Sequence, residues 1–238
     1  MKDKFLKEKQ HLRGLFAGSC ESAGGEEFRY FHSLNVAHLS VWLAKLIGIN
    51  SEKRKVIFLA TLFHDSAKHK RINEKGFLDG SHQFELENNL PRHEEESAEL
   101  AVSFLSKQLN NQELLLIKET ISGHDKPTTN LQKVLYDADE LSEMGAVNLW
   151  KMFTYSSYKK RNLEDTVDYW FAVDRKRHLE KVKKLHFKQS RIEGKRRIKL
   201  CDLLMKELAK QIVEAHKGKI WAESDGVGKG STFIVEFA

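Results

Sequence analysis

Histidines and aspartates recur in this sequence at spacings that would turn them toward a common interior. His32 lies in register with Val36, Leu39 and Leu43, at offsets of 4, 7 and 11, so a helix there points its imidazole inward. His64 follows Phe63, sits four after Ala60, and has Asp65 beside it. His93 aligns with Ser97, Leu100, Ala101 and Phe104, while His124 continues the stripe of Leu114, Ile117 and Ile121. Asp139 follows Leu135 by four and precedes Ser142 and Ala146; Asp137 lies on the side of Val134, Leu141 and Met144, and either could face inward. A lone histidine on an apolar face is more often a satisfied core residue than a ligand. Several buried imidazoles and acids together need a cation or a dense hydrogen-bond network, because an unpaired buried charge costs roughly several kcal/mol. Mixed imidazole and carboxylate ligation suits zinc, manganese or iron, and leaves positions open for water and a phosphate oxygen.

Helices must position these groups. Leucine, lysine and glutamate are abundant and only two prolines are present, which predicts an α-rich chain. Apolar periodicity predicts helices over 28–46, ended by Gly48, and over 52–67, with Val56, Leu59, Ala60 and Phe63 buried. Pro91 and the acidic run after His93 mark another helix start, where the macrodipole favours carboxylates. Further helices are expected over 111–122, 131–153, 163–185 and 193–216. The segment 70–90, with Asn73, Gly76, Gly80, Asn88 and Asn89, reads as a loop that could fold over a site, a candidate lid.

The segments FHSLNVAHLSVWLA, LATLFHDSAK, RHEEESAELA, ISGHD and VLYDADELSEMGAVNLW resemble the successive motifs of HD-domain metal-dependent phosphohydrolases, in the order His, His-Asp, His, His, Asp. The resemblance implies that His32, His64, Asp65 and Asp139 hold the metal. It implies that Lys68 contacts substrate phosphate, although a solvated lysine at a helix end is as good a reading of that residue alone. It gives His93 and His124 a role at a second metal or at phosphate. The segments DADEL, EMGAVNLW and HFKQSRIEGKRRIKLCDLLMKEL are similar to those of small stand-alone bacterial HD proteins, some of which hydrolyse nucleotides. Ser142 stands where that subgroup usually has an aspartate, and Ser66-Ala67 replaces the commoner Ile-Gly. No Gly-Tyr-Pro motif follows, which argues against the cyclic dinucleotide phosphodiesterase branch.

The ending AKQIVEAHKGKIWAESDGVGKGSTFIVEFA is similar to the end of a sensor histidine kinase ATP-binding domain, and its alternation predicts a β-hairpin. The boxes that hold magnesium-ATP are missing from the sequence, so kinase activity is not expected, and the GVGKG glycines read as turn residues. The expected architecture is mostly α: an N-terminal helical extension over 1–26, an HD helical bundle over 27–208, and a short helix plus hairpin over 209–238.

With 238 residues, 40% hydrophobic, the chain can bury a sizeable core. Cys20 and Cys201 fit no metal-binding pair spacing and are too few to staple it, so a reducing cytoplasm is the expected location. The charged start MKDKFLKEKQHLRGLF lacks the apolar run of a signal peptide or membrane span, and no membrane partner is expected. The net charge of +6 and the basic stretch 151–210 read first as a solvated helix surface and secondarily as attraction to an anionic substrate; nucleic acid is a less favoured partner, and a homodimer is open. The expected function is metal-dependent hydrolysis of a phosphate ester or anhydride in a small phosphorylated substrate, with nucleotides first among them. Asp65, Lys68, His93 and His124 would carry the chemistry around one or two divalent ions drawn from Mn, Zn, Fe, Mg and Co. The rival is a catalytically silent HD module that binds a nucleotide or protein partner, with the kinase-like tail as its interaction element.

Overall fold

The computed structural model of the chain describes residues 5–21, 25–71, 93–215, 217, 219–223 and 232–236. Its helices are α1 (Leu6–Leu15), α2 (Phe28–Leu46), α3 (Ser51–Phe63), α4 (His93–Leu105), α5 (Asn111–Ser122), α6 (Asn130–Ser142), α7 (Ala146–Tyr158), α8 (Leu163–Tyr169), α9 (Arg175–Lys184) and α10 (Lys188–Ala215). A 3-10 turn, Ser66–Arg71, follows α3, and a π-helical turn, Trp170–Asp174, joins α8 to α9. The short strands β1 (Cys20–Glu21) and β2 (Gly25–Glu26) pair antiparallel ahead of α2. At the other end β3 (Lys219–Glu223) and β4 (Thr232–Glu236) form the antiparallel hairpin that the sequence predicts, in register from Lys219↔Glu236 to Glu223↔Thr232. The GVGKG glycines and, beyond Arg71, the candidate lid over 70–90 lie outside the described residues.

Local chemistry sets several boundaries. Asn50 caps α3 by accepting from Lys53 N. Asn110 with Glu113, and Thr129 with Gln132, form reciprocal capping boxes at the starts of α5 and α6. Two expected helices differ from the structure. The segment 52–67 stops being α-helical at Phe63, so that His64 and Asp65 occupy a turn and the chain tightens into the 3-10 segment. The segment 131–153 is broken: α6 ends at Ser142, and Gly145 adopts a φ of 76° before α7 begins. That left-handed conformation disfavours a side chain.

Two apolar clusters hold the bundle. In the first, Ala37 and Leu43 of α2 meet Ile57, Leu62 and Phe63 of α3, with Ala101, Leu105, Ile117, Ile121 and Leu135 from α4, α5 and α6. Leu12 and Phe16, fully buried, join the chain before α2 to this same core. Each such side chain contributes about 1.5–3 kcal/mol on burial. The second cluster collects Leu141, Met144, Leu149, Met152, Trp170, Val182, Ile198, Cys201 and Met205. Among the described residues, no helix is long and apolar enough to cross a membrane.

Candidate metal centre

α2, α3 and α6 converge where the first core meets solvent. Ser40 of α2 and Thr61 of α3 hydrogen-bond at 3.0 Å, while Thr61 also donates to the Ile57 carbonyl, fixing the height of the two helices relative to each other. His32, on the second turn of α2, and His64, one residue past α3, then face each other with ring centroids 5.4 Å apart. One ligand atom from each of His32, His64 and Asp65 lies within 4.8 Å of the others, a grouping that could hold a metal ion. Asp139 closes the arrangement from α6: its Oδ1 lies 3.1 Å from His32 Nε2 and 3.7 Å from His64 Nε2.

His64 shows why a cation fits. Its Nδ1 is 2.7 Å from the Thr61 carbonyl, which can only accept, so Nδ1 carries a proton. The remaining nitrogen, Nε2, is buried without a hydrogen-bond partner and faces Asp65 Oδ1 and Asp139 Oδ1, each at 3.7 Å. A lone pair facing two carboxylates repels unless a proton or a metal ion lies between them. The donor set of two imidazoles and two carboxylates is one that divalent transition metals accept.

The charges around the cluster are strongly interdependent. Burial would raise the Asp65 carboxyl, but Lys68 foremost, then His64, His93 and Arg29, hold it well below the ordinary range. Lys68 Nζ sits 2.7 Å and Arg29 Nη1 3.3 Å from Asp65 Oδ2. Lys68 is therefore no solvated helix-end lysine; the 3-10 turn that carries it is tied to α4 by Ala67 N donating to Ser97 Oγ. Burial would likewise raise Asp139, and His32 and His64 hold it well below its usual value. For His32, burial acts to lower the imidazole, but Asp139 and Glu143 outweigh it and raise the group to about 9.

His93 opens α4 and places Nε2 3.5 Å from Asp65 Oδ1, with Nδ1 3.0 Å from Glu94 Oε1. His124 repeats the device seen in His64: its Nδ1 donates to the carbonyl three residues back, Ile121, at 2.6 Å. Its ring meets that of His64 edge-on at 5.8 Å and that of His93 at 6.3 Å. Burial, then the neighbouring His64, lowers the His124 imidazole. All the candidate site residues, His32, His64, Asp65, Lys68, His93, His124 and Asp139, are thus brought to one place. Asp137 is not among them. Fully buried, it accepts from the backbone N–H of His186 and Phe187 and from His186 Nδ1, which fastens the turn that opens α10.

Three participants escape the sequence reading. Arg29 reaches Asp65 across 36 positions of chain, although its place three before His32 on one helix face is a usable signal. Glu143 lies 3.2 Å from His32 Nδ1, and its other oxygen pairs with Lys151 of α7. Glu143 stands four positions after Asp139 on the same helix face, a usable signal, whereas Lys151 escapes because a single helix over 131–153 would not fold it back beside Glu143.

Residues 29–144 match the family model of the HD domain. With the fold and the His-Asp cluster in place, this match identifies residues 29–144 as an HD domain, the domain of a class of metal-dependent hydrolases. Among solved structures it is similar to Bacillus subtilis YpgQ in complex with ADP, at 18% identity and a TM-score of 0.54, covering 86% of this chain and 97% of that one. It is also similar to a predicted HD-superfamily hydrolase from an uncultured Thermotogales bacterium (18% identity, TM-score 0.58, 87% and 93% covered). A third likeness is to an HD-superfamily hydrolase from Bacillus thuringiensis (16% identity, TM-score 0.59, 87% and 95% covered). At these identities the likeness establishes the fold. No curated protein sequence matches the chain.

Proposed function

We propose that this chain hydrolyses a phosphate ester or anhydride of a nucleotide, with His32, His64, Asp65 and Asp139 holding a divalent metal ion. The observation that carries this reading is the buried, unpartnered Nε2 of His64 facing two carboxylates. A divalent ion at such a site supplies a water whose pKa is drawn toward neutrality and polarises phosphoryl oxygens. Asp65 orients that water. Lys68 places a positive charge at the edge of the cluster, where the phosphoryl oxygens gain charge in the transition state, and releases part of its hold on Asp65 to do so. His93 and His124 border the same space; they stabilise phosphoryl oxygens or protonate the departing oxygen. A nucleotide is favoured over other phosphate compounds because the similarly folded Bacillus subtilis protein was crystallised with ADP.

The domain partition that accompanies this reading is a catalytic unit over 27–208, preceded by residues 1–26 and followed by the kinase-like tail from 209. α10 runs through position 208 without interruption, so the tail continues the helix of the catalytic unit. A cytoplasmic location suits the free thiols of Cys20 and Cys201.

Elemental analysis of purified protein, coupled to a nucleotide hydrolysis screen with added Mn, Zn, Fe, Mg and Co ions, tests the proposal. Near-stoichiometric metal and turnover are expected in the parent, and His64→Ala should lose both. Stoichiometric metal without turnover across a broad nucleotide and phosphoester panel would instead favour a silent binding module.

A further inference from the structure

His32 reaches the proposed metal centre through Nε2, and something must hold its ring so that Nε2 faces Asp139. The other nitrogen, Nδ1, has two neighbours at 3.2 Å: the Ser142 hydroxyl and Glu143 Oε1. The two are not equivalent. A hydroxyl can donate or accept and would tolerate either tautomer, whereas an ionised carboxylate only accepts and demands a proton on Nδ1. We infer that Glu143 is the positioning residue that fixes the His32 ring with a proton on Nδ1, so that Nε2 is the nitrogen presented to a metal.

The fold braces Glu143 for this task. α6 ends at Ser142 with Glu143 as its C-cap, one turn after Asp139, so both carboxylates lie on the face that meets α2. Gly145 then turns the chain into α7, whose Lys151 grips the second oxygen of Glu143. The same ammonium lies 5.0 Å above the ring of Phe28, and that ring in turn sits 6.0 Å from His32. Lys151 therefore balances the carboxylate charge and limits its rotamers. A carboxylate that orients a metal-binding histidine from its far nitrogen typically governs metal affinity about 10–100-fold. In this chain position 142 offers only a serine, and the carboxylate comes from the next residue.

This inference rests on the metal centre proposed above, and its test separates the two. Zinc affinity is measured by competition with a chromophoric chelator, and the His32 ring proton by NMR on protein with 15N-labelled histidine, metal-free and zinc-bound. Glu143→Ala is expected to lose the slowly exchanging Nδ1 proton and to weaken zinc about 10–100-fold. The double variant Ser142→Asp/Glu143→Ala, which moves the carboxylate by one position, should restore both; a merely structural role for Glu143 would not be rescued this way. Should Glu143→Ala fail to fold, the nearly isosteric Glu143→Gln takes its place, with a smaller loss in the same direction. Parental zinc affinity together with an unchanged Nδ1 proton in the variant overturns the inference. If the parent itself binds no zinc or other divalent ion, the metal centre falls, and the Nδ1 proton of metal-free protein still decides whether Glu143 positions the ring.

Discussion

Asp137 and Asp139 stand two positions apart on α6 and serve opposite faces of that helix. Asp139 faces His32 and His64 at 3.1 and 3.7 Å, while Asp137 is wholly buried beneath the turn at His186 and Phe187. Two residues are about 200° of helix, so neighbours at this spacing point away from each other. Asp137→Ala should therefore lower stability by roughly 1.5–3 kcal/mol for each charge-assisted hydrogen bond that solvent cannot replace, with metal content unchanged in the folded fraction. Asp139→Ala should instead lose the metal while leaving the hydrogen bonds at His186 and Phe187 intact. Metal loss in Asp137→Ala, or full metal content in Asp139→Ala, would contradict this division.

The raised imidazole of His32 makes metal uptake compete with a proton. In the metal-free protein the group sits at about 9 in the folded state against 6.5 unfolded. Its contribution to metal-free stability is thus fully present below about 6.5 and fades as pH rises through about 9. Asp65 and Asp139, depressed by their neighbours, contribute fully above the ordinary carboxylate range and lose that contribution as pH falls below it toward their own depressed values. Metal binding displaces the His32 proton from Nε2, so the affinity should climb about tenfold per pH unit between 7 and 9. Calorimetry in two buffers of different ionisation enthalpy should register close to one proton released per metal at pH 7.5. A titration with no buffer dependence would count against a protonated His32.

Gly123 lets the end of α5 pack closely against Gln132 of α6. A Cβ there would lie 2.1 Å from Gln132 Nε2, the amide that donates to the Glu119 carbonyl while its oxygen accepts from Thr128 N and Thr129 N. Gly123→Ala should displace that amide and destabilise by about 1–3 kcal/mol, the usual range for overpacking. Because His124 is the next residue, turnover of the folded fraction should fall as well. Thermal melting and activity per folded molecule separate the two effects.

The helical architecture and the meeting of His32, His64, His93 and His124 were legible in advance, since each histidine is in register with an apolar stripe of helical spacing, and Asp65 followed as the neighbour of His64. The bounds of α2 and α5 coincide with the expected 28–46 and 111–122. The break between α6 and α7 was not legible, because Leu141, Met144 and Leu149 continue an apolar pattern across it and all are buried. The helix is interrupted by the C-cap at Glu143 and the positive φ of Gly145, properties of the folded backbone. Lys151 went unread for that reason, whereas Glu143, one turn after Asp139, carried a usable signal. The choice between Asp137 and Asp139 was undecidable from periodicity, since both faces of α6 are covered, one by α2 and the other by the turn before α10.

Lys68 gives the sharpest separation between holding the metal and using it. Its ammonium lies 2.7 Å from Asp65 Oδ2 and its side chain is largely buried, so in the resting site it offsets the carboxylate charge. A phosphoryl group arriving at the cluster brings further negative charge, and a cation already fixed there requires little reorganisation to stabilise it. Lys68→Met preserves the aliphatic stem and removes only the charge. Metal content should remain near that of the parent, because two imidazoles and two carboxylates remain, and losing a competing cation beside Asp65 favours metal retention. Turnover should fall about 10²–10³-fold, the range seen when one transition-state charge stabiliser is removed. Steady-state kinetics on a metal-saturated sample decides the matter: a rise in KM alone, with kcat intact, would make Lys68 a substrate-binding group and remove it from the chemical step.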